Sequence, residues 1–198
     1  MKRIYIYGAS GHGLVVADVA RACGYDKIIW IDDGMNSHQT FDEINIGDNI
    51  PIIIGVGDNQ IRAKIFHKIA QLKMTIITLT HPSCVISPSV ILGKGIVVMP
   101  NVVINAETKI GDGCIINSAS VIEHENVLGD FVHISPHVAL AGNVTISEFT
   151  HIGIGTSVKQ GITVGKNSMV GAGSVVLKDI GNSLIAYGNP CVEKGELK

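Results

Sequence analysis

One segment of the sequence carries a histidine between two carboxylates. Residues 116–125 read I-N-S-A-S-V-I-E-H-E, which sets His124 directly before Glu125. A neighbouring carboxylate stabilises the cationic form of an imidazole, and this makes the ring a better proton acceptor near neutral pH. A general base needs that property. The alternative interpretation of His124 and Glu125 is a pair of solvated surface residues.

Three more histidines follow, at positions 133, 137 and 151. Zinc is often bound by several histidines, and the spacing between His133 and His151 equals three of the six-residue repeats described below. A third ligand with matching spacing is not evident. We therefore predict that the chain has no metal site.

A second candidate site lies near the N-terminus, where Gly8-Ala-Ser-Gly-His-Gly13 follows an apolar strand at 3–7 and precedes a predicted helix at 14–23. Free amides at a helix N-terminus bind phosphate oxygens without help from side chains. The spacing is G-x-x-G-x-G and not the dinucleotide pattern G-x-G-x-x-G. A mononucleotide or its sugar conjugate therefore fits this loop better than NAD. A tight turn with no ligand is the alternative.

Polar residues and glycine also follow the next two predicted strands, at 28–31 and 50–54. They are Asp32, Asp33, Gly57 and Asn59. The carboxyl ends of parallel strands meet at one edge of an open sheet, which is where such sheets bind ligands. Carboxylates there could accept hydrogen bonds from a ribose or a base edge, although they could also serve only to cap a strand.

Two predicted helices flank this sheet. Their apolar positions are Leu14, Val15, Val19 and Ala22 in the first and Ile61, Ile65, Ile69 and Leu72 in the second. Spacings of three and four residues are typical of a helix that packs on one face.

From position 86 onward an aliphatic residue occurs at every sixth position. The sixteen are Ile86, Leu92, Val98, Ile104, Ile110, Ile116, Ile122, Leu128, Ile134, Leu140, Ile146, Ile152, Val158, Val164, Val170 and Val176. A period of six fits neither a helix nor an alternating strand, but it fits a chain that turns a corner every six residues and closes a triangular coil in three. Glycine follows the aliphatic six times, and we expect positive φ there.

Composition narrows the range of partners. The 198 residues carry a formal net charge of −2 and only 16% charged residues, so no basic surface for nucleic acid is expected. No apolar stretch is long enough to cross a bilayer, and the first residues do not resemble a signal peptide. We therefore expect a cytoplasmic protein without membrane insertion.

The G-A-S-G-H-G segment, the Asp32-Asp33 pair and the segment 116–125 together resemble the left-handed β-helix acyltransferases that act on nucleotide sugars. The resemblance covers nearly the whole chain and is to the UDP-4-amino-sugar N-acetyltransferase type of bacterial glycan biosynthesis. Sialic acid O-acetyltransferases are close relatives. It implies a Rossmann-like α/β domain at 1–80 and an all-β left-handed parallel β-helix at 81–198.

The resemblance also implies roles for particular residues. His124 would be the general base and Glu125 the carboxylate that raises its basicity. The substrate-binding positions would be His12, Gly13, Leu14, Asp32, Asp33, Gly57, Asn59 and Asn117. Contacts to acetyl-CoA would come from His133, Gly142, Ile154 and Ala172.

Members of this family form homotrimers with active sites between neighbouring subunits, and the resemblance implies the same assembly here. Acetyl-CoA would be a co-substrate, with no permanently bound cofactor. One departure lies near the C-terminus, where Cys191 and Val192 follow Pro190 in place of the usual small and basic residues. The resemblance therefore does not imply contact between this loop and a CoA phosphate.

The resemblance therefore implies direct acetyl transfer from acetyl-CoA to the amine of a UDP-linked 4-amino sugar, with His124 as the base. An O-acetyltransferase is the nearest alternative, because the same base can deprotonate a hydroxyl group. A metal-dependent hydratase on the same scaffold and a noncatalytic nucleotide-sugar-binding subunit are further alternatives.

Overall fold

The computed structural model describes residues 1–197. Its N-terminal part is a three-stranded parallel sheet in the order β2-β1-β3, with helices after β1 and β3. The elements are β1 (Arg3–Tyr7), α1 (His12–Ala22), β2 (Lys27–Ile31), β3 (Ile52–Ile54) and α2 (Asn59–Gln71). Two short 3-10 helices, Phe41–Glu43 and Ile46–Asp48, lie between β2 and β3. No helix within residues 1–197 is long and apolar enough to cross a membrane.

The helices bury different faces from those predicted. In α1 Leu14 and Val15 are exposed, and the buried face is Gly13, Val16, Ala17, Val19 and Ala20. Gly13 can lie on the buried face because it has no Cβ: such an atom would lie 1.9 Å from the carbonyl oxygen of Gly8. In α2 Ile61 and Leu72 are exposed, and the buried residues are Arg62, Ala63, Phe66 and Ile69.

The rest of the chain is a parallel β-helix of two-residue strands. They are β4 (Leu79–Thr80), β5 (Val85–Ile86), β6 (Ile91–Leu92), β7 (Val97–Val98), β8 (Val103–Ile104), β9 (Lys109–Ile110), β10 (Ile115–Ile116), β11 (Val121–Ile122), β12 (Val127–Leu128), β13 (His133–Ile134), β14 (Ala139–Leu140), β15 (Thr145–Ile146), β16 (His151–Ile152), β17 (Ser157–Val158), β18 (Thr163–Val164), β19 (Met169–Val170) and β20 (Val175–Val176). An antiparallel pair, β21 (Leu184–Tyr187) and β22 (Val192–Glu196), follows β20.

These strands form the three faces of a prism. The eight-stranded face runs β22-β21-β19-β16-β13-β10-β7-β4, the six-stranded face β20-β17-β14-β11-β8-β5 and the five-stranded face β18-β15-β12-β9-β6. Each strand pairs with the one three strands later, so Ile116 lies beside Ile134, one coil of three repeats later. The sixteen aliphatics point inward, and all except the half-buried Ile86 and Leu92 are buried. The predicted combination of an α/β unit with a parallel β-helix is confirmed.

The corners of the prism correct one expectation. Positive φ does not occur at the glycine directly after the aliphatic; it occurs two residues later, at every sixth position from Gly95 to Gly173. Non-glycine residues take up this conformation too, and Glu125 has φ 60°. The glycines after the aliphatics serve close approach between coils. A Cβ on Gly129, for example, would lie 2.5 Å from the backbone nitrogen of Glu148.

A buried arginine joins the α/β unit to the prism. Arg62 is 1% exposed, and its Nε and Nη2 donate to the carbonyl oxygens of Gly113 (2.6 Å) and Phe131 (2.9 Å). Its Nη1 donates to the carbonyl oxygens of Val56 (3.2 Å) and Gly57 (2.9 Å). The loop after β3 is therefore tied to two coils of the prism through one side chain.

The hydrophobic cores of the two parts also merge. Leu79, Val97 and Met99 of the prism pack in one cluster with Ile4 and Ile6 of β1. Buried contacts therefore cross the junction between the two parts. The domain boundary at residues 80/81 stays a prediction.

Candidate active site

A cleft of about 430 Å³ opens at the carboxyl edge of the three-stranded sheet. It is lined by the loops after all three strands and by the first turns of α2. These residues are Tyr7, Gly8, Ser10, His12, Asp32, Asp33, Gly34, Gly55, Val56, Gly57, Ile61 and Ile65. The structure thus brings together four of the predicted substrate-binding residues: His12, Asp32, Asp33 and Gly57.

Glycines build the floor of this cleft. A Cβ on Gly55 would lie 2.7 Å from the Cα of Gly13, and one on Gly13 would overlap the backbone of Gly8. The N-terminus of α1 can therefore approach the sheet closely. Its N-cap residue, Gly11, provides no side-chain hydrogen bond to the first turn. The first amides of a helix without such a cap can hydrogen-bond an anion.

Asp32 is held by backbone donors. Its Oδ2 accepts from Ala9 N (2.9 Å) and its Oδ1 from Gly34 N (2.9 Å). These hydrogen bonds, the one from Ala9 foremost, lower the pKa of Asp32 and keep the carboxylate ionised.

Asp33 is held mainly by side chains. Burial acts to raise its pKa, but hydrogen bonds from the Tyr7 hydroxyl and from Phe41 N (2.8 Å) outweigh burial and lower it. Lys68 Nζ lies 3.6 Å from Asp33 Oδ2. Both carboxylates therefore carry negative charge at the lining of the cleft, and their role in substrate binding stays a prediction.

A cluster of histidines lies behind the cleft on the eight-stranded face. The rings of His133 and His151 stack at 4.4 Å between centroids with an angle of 3°. His151 Nε2 is 2.8 Å from Ser135 Oγ, and His133 Nε2 is 3.5 Å from Asn117 Nδ2. The ring of His12 lies 6.3 Å from that of His133. His133 therefore lies near both Asn117 and the cleft residue His12.

These imidazoles are kept neutral. Burial lowers the pKa of His12 to about 4 and also lowers those of His133 and His151, and the nearby Arg62 acts in the same direction. His12 Nε2 and His133 Nδ1 are buried and have no hydrogen-bond partner among the described residues. Buried polar atoms left this way are poorly satisfied without a ligand or water.

The predicted base lies on a different part of the prism. His124 Nδ1 is 2.9 Å from Glu125 Oε2, and both side chains are more than half exposed. The imidazole rests on Gly142, one coil later, where a Cβ would lie 2.5 Å from Cε1 and 2.6 Å from Nε2. The hydrogen bond orients Nδ1 toward the carboxylate and leaves Nε2 as the nitrogen that can accept a proton.

The strand order separates His124 from the cleft. His124 lies at the corner after β11, between the six- and five-stranded faces, whereas His133 is in β13 of the eight-stranded face. Asn117 lies at the corner after β10, between the eight- and six-stranded faces. Within one chain the predicted site is therefore divided into two groups at two corners.

The other predicted residues occupy varied positions. Ile154 and Ala172 are exposed at the same corner as Asn117, two and three coils further along. Leu14 is exposed on α1. Asn59 uses its amide between the two parts of the chain: Nδ2 donates to the carbonyl oxygen of Phe149 (2.9 Å) and Oδ1 accepts from Arg62 (2.7 Å).

Comparison with known proteins identifies the family. A family model described as the PglD N-terminal domain matches residues 3–69. The crystal structure of PerB from Caulobacter crescentus in complex with CoA and GDP-perosamine is 36% identical, with 97% of each chain covered and a TM-score of 0.90. The acetyltransferase domain of PglB from Neisseria gonorrhoeae FA1090 is also 36% identical, over 98% of this chain and 100% of that domain, with a TM-score of 0.91.

The chain belongs to the hexapeptide-repeat sugar N-acetyltransferases. A curated relative, UDP-N-acetylbacillosamine N-acetyltransferase of Bacillus subtilis (strain 168), is 34% identical over 112 residues, which cover 50% of this chain. The match spans about half (52%) of that relative's length. The family resemblance carried by the glycine loop, the Asp32-Asp33 pair and the segment 116–125 is thus confirmed.

Two residues of this N-acetyltransferase were missed by sequence reasoning. Arg62 links the cleft loop to the prism, and Asn126 is a fully buried amide beside the His124 corner. A signal existed for each: Arg62 occupies the helical face shared with Phe66 and Ile69, and Asn126 occupies a position two before an inward aliphatic, where small or β-branched residues are usual.

The histidine stack does not form a metal site in the described structure. His133 and His151 face each other through their ring planes, so their nitrogen atoms do not converge on one point. Among residues 1–197 no group of three His, Cys, Asp or Glu side chains is arranged to hold a metal ion.

Proposed function

We propose that this enzyme transfers the acetyl group of acetyl-CoA to the amine of a UDP-linked 4-amino sugar in bacterial glycan biosynthesis. The observation that carries the proposal is the 2.9 Å hydrogen bond between His124 Nδ1 and Glu125 Oε2, with the imidazole seated on Gly142. Support for the substrate class comes from relatives whose names include GDP-perosamine and a UDP-linked amino sugar, and from complexes with CoA or acetyl-CoA.

The chemistry follows from the orientation of the imidazole. The amine nitrogen attacks the thioester carbonyl carbon, and Nε2 of His124 accepts a proton from that nitrogen. Glu125 stabilises the imidazolium that forms. The C–N bond forms, the C–S bond breaks, and the proton held by His124 is available to the departing CoA thiolate. The N–H of Gly142 is our candidate donor to the thioester oxygen.

The nucleotide end of the substrate would occupy the cleft of the α/β unit. The uncapped N-terminus of α1 suits a diphosphate, and the ionised Asp32 and Asp33 suit the hydroxyl or N–H donors of the nucleoside. His12 is uncharged, so it would form no ion pair with the diphosphate or with the two carboxylates. The sugar would then extend toward Asn117 and His133.

We further propose a homotrimer with active sites between subunits, because one chain separates His124 from the cleft. The corner that carries His124 and the corner that carries Asn117 both border the six-stranded face. The outward residues of that face are apolar or small: Val85, Val103, Val121, Ala139, Ser157 and Val175. Packing of this face about a three-fold axis would bring the His124 corner of one subunit beside the Asn117 corner of the next.

In that arrangement acetyl-CoA would lie along the groove between the two corners. Gly142 would contribute from one subunit, and the exposed Ile154 and Ala172 together with His133 would contribute from its neighbour. This division accounts for predicted CoA contacts that no single corner of the prism can supply.

Release of free thiol from acetyl-CoA tests the proposed activity. The acceptors are UDP-linked 4-amino and 3-amino sugars, a GDP-linked 4-amino sugar and a hydroxyl-only sugar nucleotide. We expect turnover with a UDP-linked 4-amino sugar and a product whose acetyl group resists hydroxylamine, because an amide does and an ester does not. A hydroxylamine-sensitive product would indicate an O-acetyltransferase, and no thiol release with any acceptor would contradict acetyl transfer.

A further inference from the structure

An asparagine inside the prism occupies a position that usually holds a small or β-branched residue. Asn126 is fully buried, two residues before the inward Leu128 and directly after Glu125. A buried amide must find partners for its donors and its acceptor, or it destabilises the fold. The identity of those partners shows what this side chain fixes.

The side chain of Asn126 makes three hydrogen bonds. Its Nδ2 donates to the carbonyl oxygens of Glu123 (2.5 Å) and Ala141 (3.1 Å), and its Oδ1 accepts from Val144 N (2.8 Å). Glu123 immediately precedes His124, and Ala141 immediately precedes Gly142. The amide of Asn126 therefore holds the backbone next to both residues of the contact between the His124 ring and Gly142.

Another buried side chain makes only part of this pattern. Thr150 Oγ1 donates to the carbonyl oxygen of Gly165 (2.6 Å) and accepts from Ser168 N (3.1 Å). These partners are 15 and 18 residues later, the same offsets as Ala141 and Val144 from Asn126. Threonine therefore joins successive coils elsewhere in the prism. Asparagine at position 126 makes the same two bonds and adds the bond to Glu123.

The carbonyl of Glu123 receives a second buried hydrogen bond, from Thr108 Oγ1 (2.9 Å) one coil earlier. Two side chains from the interior thus hold the residue that precedes the exposed His124. Exposed imidazoles are free to change rotamer, so an anchored backbone at this point restricts where Nε2 can lie.

We propose that Asn126 is a positioning residue for the reaction: it sets the backbone of the His124 corner against Gly142. The proposal rests on the proposed function of His124 as the base. General-base catalysis requires the accepting nitrogen to be within hydrogen-bond reach of the proton it removes, and small displacements of a catalytic group lower the rate strongly.

The test is Asn126→Thr. Threonine at this position can still make the two bonds between coils, as Thr150 does, but it cannot also hold Glu123. We expect kcat to fall about 10-fold while KM for acetyl-CoA and for the amino sugar stays within about twofold. We also expect a crystal structure of the variant to have the His124 ring displaced from Gly142.

Thr150→Ala is the matched control, because it removes bonds between coils at a corner that carries no proposed catalytic group. It should lower Tm without lowering kcat. If Asn126→Thr does not fold, Asn126→Cys takes its place, since Cys114 occupies the same repeat position and also bonds the carbonyl 15 residues later. An unchanged kcat in the folded variant, or an equal loss in Thr150→Ala, would overturn the proposal.

The outcome is separable from that of the proposed function. If the wild-type protein releases no thiol from acetyl-CoA, acetyl transfer fails as an assignment. The crystal structures of wild type and Asn126→Thr then still decide whether Asn126 sets the position of the corner: an unmoved His124 ring contradicts it.

Discussion

The imidazole of His124 lies directly against Gly142, with no room for a Cβ between them. Such an atom would be 2.5 Å from Cε1 of the ring. Gly142 does not have positive φ in the structure, so an alanine would be acceptable to the backbone and the conflict is with the ring alone. The glycine is therefore required by the position of the histidine.

Gly142→Ala should lower kcat by about 10-fold or more, because the ring must leave its present position, while Tm changes little. The decisive comparison is the double variant with His124→Ala. If Gly142 acts through the imidazole, Gly142→Ala should lower kcat no further when His124 is already alanine. Independent, multiplying losses in steady-state assays would contradict that interpretation.

His124→Ala should lower kcat by at least about 10²-fold, because it removes the proposed acceptor of the amine proton. Glu125→Gln keeps the size of the side chain but removes the charge that stabilises the imidazolium, so a smaller loss of kcat is expected. The measurement is thiol release at saturating substrates, with circular dichroism and size-exclusion chromatography to check fold and assembly. Near-normal turnover of His124→Ala would remove it from the mechanism.

Arg62→Leu should lower the free energy of unfolding by about 3 kcal/mol or more, since it leaves several buried carbonyl oxygens without a donor. The urea midpoint gives the effect. Arg21→Ala is the control: Arg21 forms only an exposed ion pair with Asp18 and should change stability by less than about 1 kcal/mol. Equal midpoints for the two variants would mean that Arg62 does not join the cleft loop to the prism.

The buried histidines predict a pH dependence of stability. The pKa of His12 is lowered from its usual 6.5 to about 4, so between these values the unfolded chain binds a proton that the folded chain does not. The contribution is present above pH 6.5 and is lost as the pH falls toward 4; the lowered pKa values of His133 and His151 act in the same direction.

Thermal unfolding at intervals between pH 7 and pH 4 measures this loss. The wild-type Tm should fall across the range, and His12→Gln should have a shallower slope. Asp32 is present in both proteins, so its lowered pKa affects both slopes equally. A His12→Gln slope identical to that of the wild type would contradict the assignment.

Mixed oligomers test whether the site is shared. His124→Ala disables the corner and Asp33→Ala weakens the cleft, and each variant alone should be poorly active. Co-expression should restore activity at roughly a quarter of the sites, where a subunit with intact His124 meets a neighbour with an intact cleft. Mixing the purified homo-oligomers without exchange is the control. No recovery in the co-expressed protein would argue for sites within single chains.

The repeat could be read from the sequence because each inward position must be aliphatic for the coils to stack. That constraint leaves a mark at every sixth residue, and it predicted the prism from Ile86 to Val176. The glycine loop and the Asp32-Asp33 pair were readable for a similar reason, since a strand, a tight loop and a helix are local in the chain. The same local pattern did not predict which helix face turns inward: Gly13 and Arg62 decide that through contacts with Gly8 and Phe131.

The sequence by itself determined the fold class and drew attention to His124 and Glu125, because both depend on neighbours along the chain. Only the tertiary structure decided that the imidazole of His124 packs on Gly142 and that Asn126 holds the backbone next to both residues. It also decided that His124 is separated from the cleft. These relationships join residues one coil or more apart. Their physical basis is the close stacking of coils, which no spacing of residue types reveals until the chain is folded.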